Sequence, residues 1–337
     1  MWRVPLAPGM PRTAHGCRCL PRACVWGWVV STDLFGAATP MTNAEVLRMT
    51  RPEREARVRA LVLESHAILD RAIEQHIDRD GKALSEIVVL FSGGNDSTVL
   101  AHMFRERATY AAHANTTIGI EDTRQFVRDT CKAWRLPLAE QTPPNVADHY
   151  RALVLAHGFP GPAQHFKMYQ RLKERALRAI QADLVGDPRR NRIVFLAGRR
   201  RDESARRSNV VESERIGSAV WVSPLVHWTK ADLTTYRQLR GDVPTNRVSD
   251  LIHMSGECLC GSFAKRGERE ELRYWFPATF AIIEALEAEI ADRDDIPAHR
   301  RVWGWGADRS TVSKDRRVGL LCSSCVADQP ELFEASA

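Results

Sequence analysis

Six residues at 92–97, SGGNDS, combine backbone freedom and polar side chains in a way suited to holding a phosphate chain. They follow an apolar run at 87–91, IVVLF, and lead directly into a helical pattern. A short run rich in Val and Ile, stopped by glycines, reads as a fully buried parallel strand. Gly93 and Gly94 allow a sharp turn and let main-chain N–H groups reach a ligand with no Cβ in the way. Asp96, Ser97 and Thr98 then fall in the first turn of a helix, where unpaired amides and the helix dipole attract an anion. Strand, glycine turn and helix start together make a phosphate cradle. The Walker spacing and its lysine are missing, so this is a different kind of loop.

A second anion-binding candidate is GRRRDESARR at 198–207, which puts five arginines within nine residues after an expected strand at 192–197. Arginine suits bidentate recognition of phosphate or sulfate. A solvated charge run accounts for the composition equally well. The position at a strand's carboxyl end, beside the phosphate cradle, favours anion binding. Arg199 and Arg206 are the expected inward pair. Another strand end, Asn115-Thr116-Thr117, followed by Glu121 and Asp122, reads by itself as a polar terminus and a helix cap.

Four cysteines form a third cluster. Cys258 and Cys260 stand as C-x-C, and Cys322 and Cys325 as C-x-x-C. Four thiolates are the number needed for a closed tetrahedral Zn²⁺ site or a [4Fe–4S] cluster, and spacing does not choose between them. A redox dithiol at Cys322–Cys325 is a third option. Trp303-Gly304-Trp305-Gly306 precedes the second pair and is expected to be core rather than a lid.

These residues need a framework. Expected elements are a long amphipathic helix over 44–78 capped by Thr42-Asn43, then strands at 87–91, 110–120, from 136, at 192–197 and from 221. Helices are expected over 122–135, 146–156, 164–184 and 230–239. Such alternation indicates an α/β fold with a doubly wound parallel sheet, whose ligands bind at the carboxyl ends of the strands. The expected division is a leader at 1–40, a helical extension at 41–83, a nucleotide-binding α/β domain at 84–243 and a cysteine-bearing helical region at 244–337.

The 337 residues carry a net charge of +6, and four arginines against one acid in the first forty account for half of it. That balance is compatible with an acidic substrate and identifies none. No apolar stretch is long enough to span a bilayer, so no membrane partner is expected. Residues 1–40 hold five prolines and Cys17, Cys19 and Cys24 with no periodicity, and Met41 is the expected natural start. The location expected from the downstream chemistry is cytoplasmic.

SGGNDS, NTTIGIEDT at 115–123, RLK at 171–173, GRRRDESARR and WVSPLVHWTKADL at 221–233 occur in the order of the motifs of the phosphoadenosine-phosphosulfate (PAPS) reductase family. The chain resembles that family, within the PP-loop ATP pyrophosphatases (adenine nucleotide alpha hydrolase-like proteins), over roughly residues 84–262. The resemblance implies that Ser92, Gly93, Gly94, Asn95, Asp96 and Ser97 hold the nucleotide phosphates and that Asn115 lies near the adenosine. It also implies that Lys173 and Arg199, with Gly198 at the turn and Arg206 as a further candidate, meet the anionic end of the substrate.

The chain departs from the assimilatory reductases of the family. The residues before RLK, at 164–169, hold no cysteine, and the nearest match to the family's catalytic E-C-G is ECLCG at 257–261. The chain therefore resembles more closely the DNA phosphorothioation-type sulfur-transfer members. This implies ATP cleavage at the α-phosphate to AMP and pyrophosphate, with Mg²⁺ held in part by Asp96, and a sulfur donor or thiol reductant. A [4Fe–4S] cluster is favoured over Zn²⁺, and DNA or RNA in a modification complex is the implied partner. The rival readings are a PAPS-type reductase that releases sulfite and a non-catalytic nucleotide-gated binding module. The sequence leaves the oligomeric state open.

Overall fold

The computed structural model describes residues 41–204 and 207–307, all within one compact unit, Met41–Ala337. Thr42 caps helix α1, Asn43–Arg48, in a reciprocal box with Glu45. Helix α2, Arg51–Ile73, starts afresh: the Thr50 amide donates to the Glu53 carboxylate at 2.7 Å, and Pro52 occupies the first turn. The single helix expected over 44–78 is therefore two, followed by a π-helical turn, Glu74–Asp78.

The rest of the chain alternates strands and helices. Strand β1 is Ala83–Leu90, helix α3 Asn95–Phe104, β2 Tyr110–Ala114, α4 Glu121–Trp134 and β3 Leu138–Gln141. Then come α5 Tyr150–His157, α6 His165–Tyr169, a π-helical turn Gln170–Glu174, α7 Arg175–Val185 and β4 Asn191–Leu196. Strands β5, Ser213–Ile216, and β6, Ala219–Val222, precede α8 Lys230–Arg240, α9 Arg247–Ile252, α10 Glu268–Trp275 and α11 Pro277–Ile290.

The six strands form one sheet in the order β3-β2-β1-β4-β6-β5, parallel except for β5, which pairs antiparallel with β6. The fold is α/β and doubly wound, as expected. Val89 and Phe91 face α2, α3 and α8 on one side, in a core with Val99, Val220 and Trp228. Val88 and Leu90 face α7 on the other, with Phe195, Leu177 and Ile180. Both faces are covered, which explains why the run at 87–91 is continuously apolar rather than alternating. A third core unites α5, α9, α10 and α11 with Ile118 and Ile120 beyond β2.

Three expectations change. The strand expected over 110–120 ends at Ala114, because from Thr116 the backbone bonds to residues 256–259 instead of to a strand. The helix expected over 164–184 is broken by the π turn, which holds Lys173. Strand β5 was not foreseen: it is a short, partly exposed edge strand turned back by Gly217. No helix among the described residues is long and apolar enough to cross a membrane.

Candidate functional site

Successive strands run outward from β1 in both directions, so the order reverses between β1 and β4. At this switch point the crossovers lie on opposite faces and leave a crevice beyond the strand ends. A cavity of about 260 Å³ lies there. Its lining includes Ser92, Gly94, Asn95, Asp96 and Ser97 from the glycine turn, and Lys173, Gly198 and Arg199 from the neighbouring elements.

The turn is built for close backbone approach. Gly93 has φ of +79°, and a Cβ there would lie 2.8 Å from Thr123 Cγ2. Its carbonyl accepts from Asn246 Nδ2 at 2.9 Å and Ser249 Oγ at 3.3 Å, which fixes the turn from α9. Gly94 is the N-cap of α3 and offers no side chain to the first-turn amides. Those of Asn95, Asp96 and Ser97 are therefore uncapped and lie at the positive end of the helix dipole. The Ser92 and Ser97 hydroxyls lie 3.1 Å apart across the turn. Gly198 crosses close behind: a Cβ there would sit 3.4 Å from the Ser97 amide nitrogen.

The cavity lining carries seven lysines and arginines against three carboxylates. Arg199, Arg200 and Arg207 are almost fully buried. Arg199 donates to Ser223 Oγ at 2.9 Å and to Glu214 at 2.8 Å, yet its Nη2 has no partner. Arg200 Nε donates to Asp96 Oδ2 at 2.8 Å, and its Nη1 makes no hydrogen bond. Arg207 pairs with Glu203 at 3.2 Å and leaves Nη2 unpartnered. Arg237 on α8 bonds the Pro244 carbonyl through Nη1, and leaves both Nε and Nη2 unsatisfied.

Buried polar groups without partners are costly, so donors concentrated around one cavity are complementary to an anion. Burial lowers the pKa of Arg199, with Arg207 adding to the effect and Glu214 opposing it. Burial also lowers that of Arg237. At Arg200 burial acts in the same sense, but Asp96, Glu203 and Asp202 outweigh it and raise the value. All three guanidinium groups remain charged.

Several of these residues escaped the sequence reading. Arg200 and Arg207 belonged to the arginine run but were not chosen, and Arg206 lies outside the described residues. Arg237, Lys230 and Thr234 share one face of α8, and their i, i+4, i+7 spacing was the available signal. Asn115 does not line the cavity: its Nδ2 donates to Glu140 at 2.9 Å, and its Oδ1 accepts from the Thr117 amide at 3.0 Å. That second bond supports Thr117 at a φ of +62°, uncommon for a β-branched residue. The Thr117 hydroxyl in turn accepts from the Tyr150 amide at the start of α5.

Of the four-cysteine set, Cys258 is half-buried and Cys260 buried, while Cys322 and Cys325 lie outside the described residues. Among the described residues no group of three or more His, Cys, Asp or Glu is disposed to hold a metal ion. The ECLCG segment is held rigidly. Trp303 is buried, its Nε1 donates to the Leu259 carbonyl at 2.9 Å, and Gly261 packs against its ring. Trp305 lies against Gly161. Trp303 thus belongs to the packing that holds this segment, and Trp305 to the packing around Phe159 and Gly161.

Residues 86–250 match the family model of the phosphoadenosine phosphosulfate reductase domain. A stretch of 85 residues is 35% identical to the adenosine 5'-phosphosulfate reductase of Halalkalibacterium halodurans, and covers 24% of this chain. The chain spans 36% of the length of that relative. Among solved structures, the chain is similar to the PAPS reductase of Candida auris in its phosphate complex, at 17% identity and a TM-score of 0.41, covering 60% of this chain and 92% of that one. It is similar to the FMN adenylyltransferase of Candida glabrata in complex with ATP, at 13% identity and a TM-score of 0.41, covering 62% and 64%. The U34-tRNA thiolase NcsA of Methanococcus maripaludis with its [4Fe-4S] cluster gives 14% identity and a TM-score of 0.36, covering 70% and 81%.

Proposed function

We propose that this chain binds ATP in the cavity at the sheet's switch point and cleaves it at the α-phosphate, activating an acceptor for sulfur transfer. The observation that carries the reading is the convergence, around one cavity, of uncapped amides at the start of α3 with Arg199, Arg200, Arg207 and Arg237, each holding a buried nitrogen that makes no hydrogen bond. A polyanion seated there is complementary in charge to this set of donors. An acceptor oxygen attacks the α-phosphorus, the bond to the β-phosphate oxygen breaks, and pyrophosphate departs with the electron pair. Donors already in place stabilise the charge that grows on the leaving group.

Lys173, carried on a π turn, and Arg199 bind the anionic end of the substrate. Such turns often aim one side chain into a site. Asp96 supplies a carboxylate at the turn and would be a protein ligand for Mg²⁺, a cation that favours oxygen ligands. Magnesium would offset phosphate charge when bound. Cys258 and Cys260 would contribute two thiolates to a [4Fe–4S] cluster or Zn²⁺ completed by Cys322 and Cys325. Such a cluster would supply sulfur or electron chemistry, and zinc a scaffold. DNA or RNA is the proposed macromolecular partner.

A second reading is favoured by one feature: Glu257 lines the cavity, and half-buried Cys258 follows it. A thiolate there could attack the sulfonate sulfur of PAPS or adenosine phosphosulfate, break the S–O bond and release the nucleotide. An external thiolate would then attack the cysteine sulfur of the S-sulfocysteine, forming a disulfide and breaking the S–S bond to the sulfonate, which leaves as sulfite with the electron pair. Product analysis separates the two. Mg-ATP with a nucleic-acid acceptor gives pyrophosphate and the adenylated acceptor on the first reading, and AMP once a thiol or sulfide donor attacks the activated atom and displaces it. Sulfite from a sulfonucleotide plus thiol, with no AMP from ATP, replaces it with the second.

A further inference from the structure

His113 sits on β2 with 1% of its surface exposed and joins two segments distant in sequence. Its Nδ1 lies 2.8 Å from the Phe91 carbonyl, immediately before the glycine turn. Its Nε2 lies 2.9 Å from Glu257 Oε2, immediately before Cys258. A carbonyl oxygen and a carboxylate both only accept, so Nδ1 donates to the strand before the glycine turn and Nε2 donates to Glu257.

Glu257 is bound on every side. Its Oε1 accepts from the Thr116 amide at 2.9 Å, and its carbonyl accepts from the Thr116 hydroxyl. Arg124 Nε lies 3.9 Å from its Oε2. Around it the Ile120 amide donates to Gly256 at 2.8 Å and the Leu259 amide to Ile118 at 2.9 Å. The segment also passes close to the phosphate turn itself. A Cβ on Gly94 would lie 3.3 Å from Ser255 Cβ, and Thr123 donates to the Ser255 carbonyl at 2.6 Å.

We infer that His113 and Glu257 are positioning residues that couple occupancy of the nucleotide cavity to the exposure of Cys258. The inference rests on the reading of the cavity as an adenine-nucleotide site. An anion seated on the Gly94 turn restrains Ser255 and the Phe91 carbonyl. Through the His113–Glu257 bridge it holds the cysteine segment in its docked form. Buried polar networks with two discrete arrangements transmit such effects, because half-made bonds in a dry interior are costly.

The test is the rate at which iodoacetamide alkylates Cys258, followed by mass spectrometry on the full chain with and without Mg-ATP. Buried Cys131, whose thiol burial pushes up to about 12, is the internal control. Calorimetry on the same samples measures ATP affinity separately. Wild type should show slowing of roughly fivefold or more with ATP bound, the lower end of ordinary site-to-site coupling. Glu257→Gln, compared at ATP concentrations that calorimetry shows to saturate it, should slow by less than about twofold. An unchanged wild-type rate with ATP demonstrably bound overturns the coupling and leaves the cavity assignment standing. Equal protection in Glu257→Gln means direct shielding by the nucleotide and also overturns it. No ATP binding by the folded wild type overturns both. If Glu257→Gln fails to fold, His113→Asn makes the same comparison from the other end of the bridge, and protection equal to wild type there overturns the coupling.

Discussion

The Arg200 guanidinium reaches from the loop after β4 to the first turn of α3, where its Nε donates to Asp96 Oδ2 at 2.8 Å. The bond ties the arginine run to the glycine turn, and burial of Arg200 strengthens it. Two segments about a hundred residues apart therefore form one wall of the cavity. Replacing Arg200 by Ala should cost about 3 kcal/mol of stability, the lower end for breaking a buried pair, because Asp96 keeps some solvent contact. Urea unfolding of Arg200→Ala beside wild type measures this.

Arg237 should behave in the opposite way. Its Nε and Nη2 make no hydrogen bond within the protein, and on the proposed function they serve the nucleotide. Arg237→Met should fold with unchanged or slightly raised stability. Its ATP affinity should fall by roughly tenfold to a hundredfold, the loss of one or two charge-assisted hydrogen bonds. Thermal unfolding and calorimetry on the same preparation separate the two effects.

Two glycines of the site should respond differently to alanine. At Gly93 the positive φ and the 2.8 Å approach to Thr123 make any Cβ costly, about 1–2 kcal/mol from the backbone alone. At Gly198 a Cβ meets its neighbours at 3.4 Å or beyond, an ordinary contact, but it would crowd the Ser97 amide. Gly93→Ala should be destabilised, whereas Gly198→Ala should keep its unfolding midpoint and lose nucleotide affinity. Unfolding curves paired with ATP titrations check both.

Glu140 sets a pH dependence. Hydrogen bonds from Arg128 lower its carboxyl to about 2, with Asn115 assisting and burial opposing. A depressed folded value means that the stabilisation is present above the unfolded carboxylate value of about 4.3 and is lost as pH falls towards 2. The acid limb of the stability profile should be shallower in Glu140→Gln than in wild type. Unfolding free energies measured between pH 6 and about 2.5 provide the check.

Local chemistry was legible in the sequence where it depended on neighbours in the chain. The glycine turn, the apolar strand before it and the arginine run at 198–207 announce themselves through adjacent residues. The restart of the helix at Thr50 was also readable, since Pro52 and Glu53 form a capping signal that the longer apolar periodicity masked. Arg237 left only the faint signal of its spacing on α8, Glu257 showed only as part of ECLCG, and His113 was not legible. Arg237 looks like any helix-surface arginine until α8 packs beside α3, and His113 like any strand residue until Glu257 reaches it. Edge strand β5 has too little buried apolar surface to stand out.

The most direct test of the cavity assignment is a calorimetric titration of the intact folded protein with Mg-ATP and, separately, with adenosine. The phosphate-binding amides and unpartnered guanidinium groups predict that ATP binds at least about a hundredfold more tightly than adenosine. Equal affinity for the two, or no heat from ATP with a folded sample, would contradict the account.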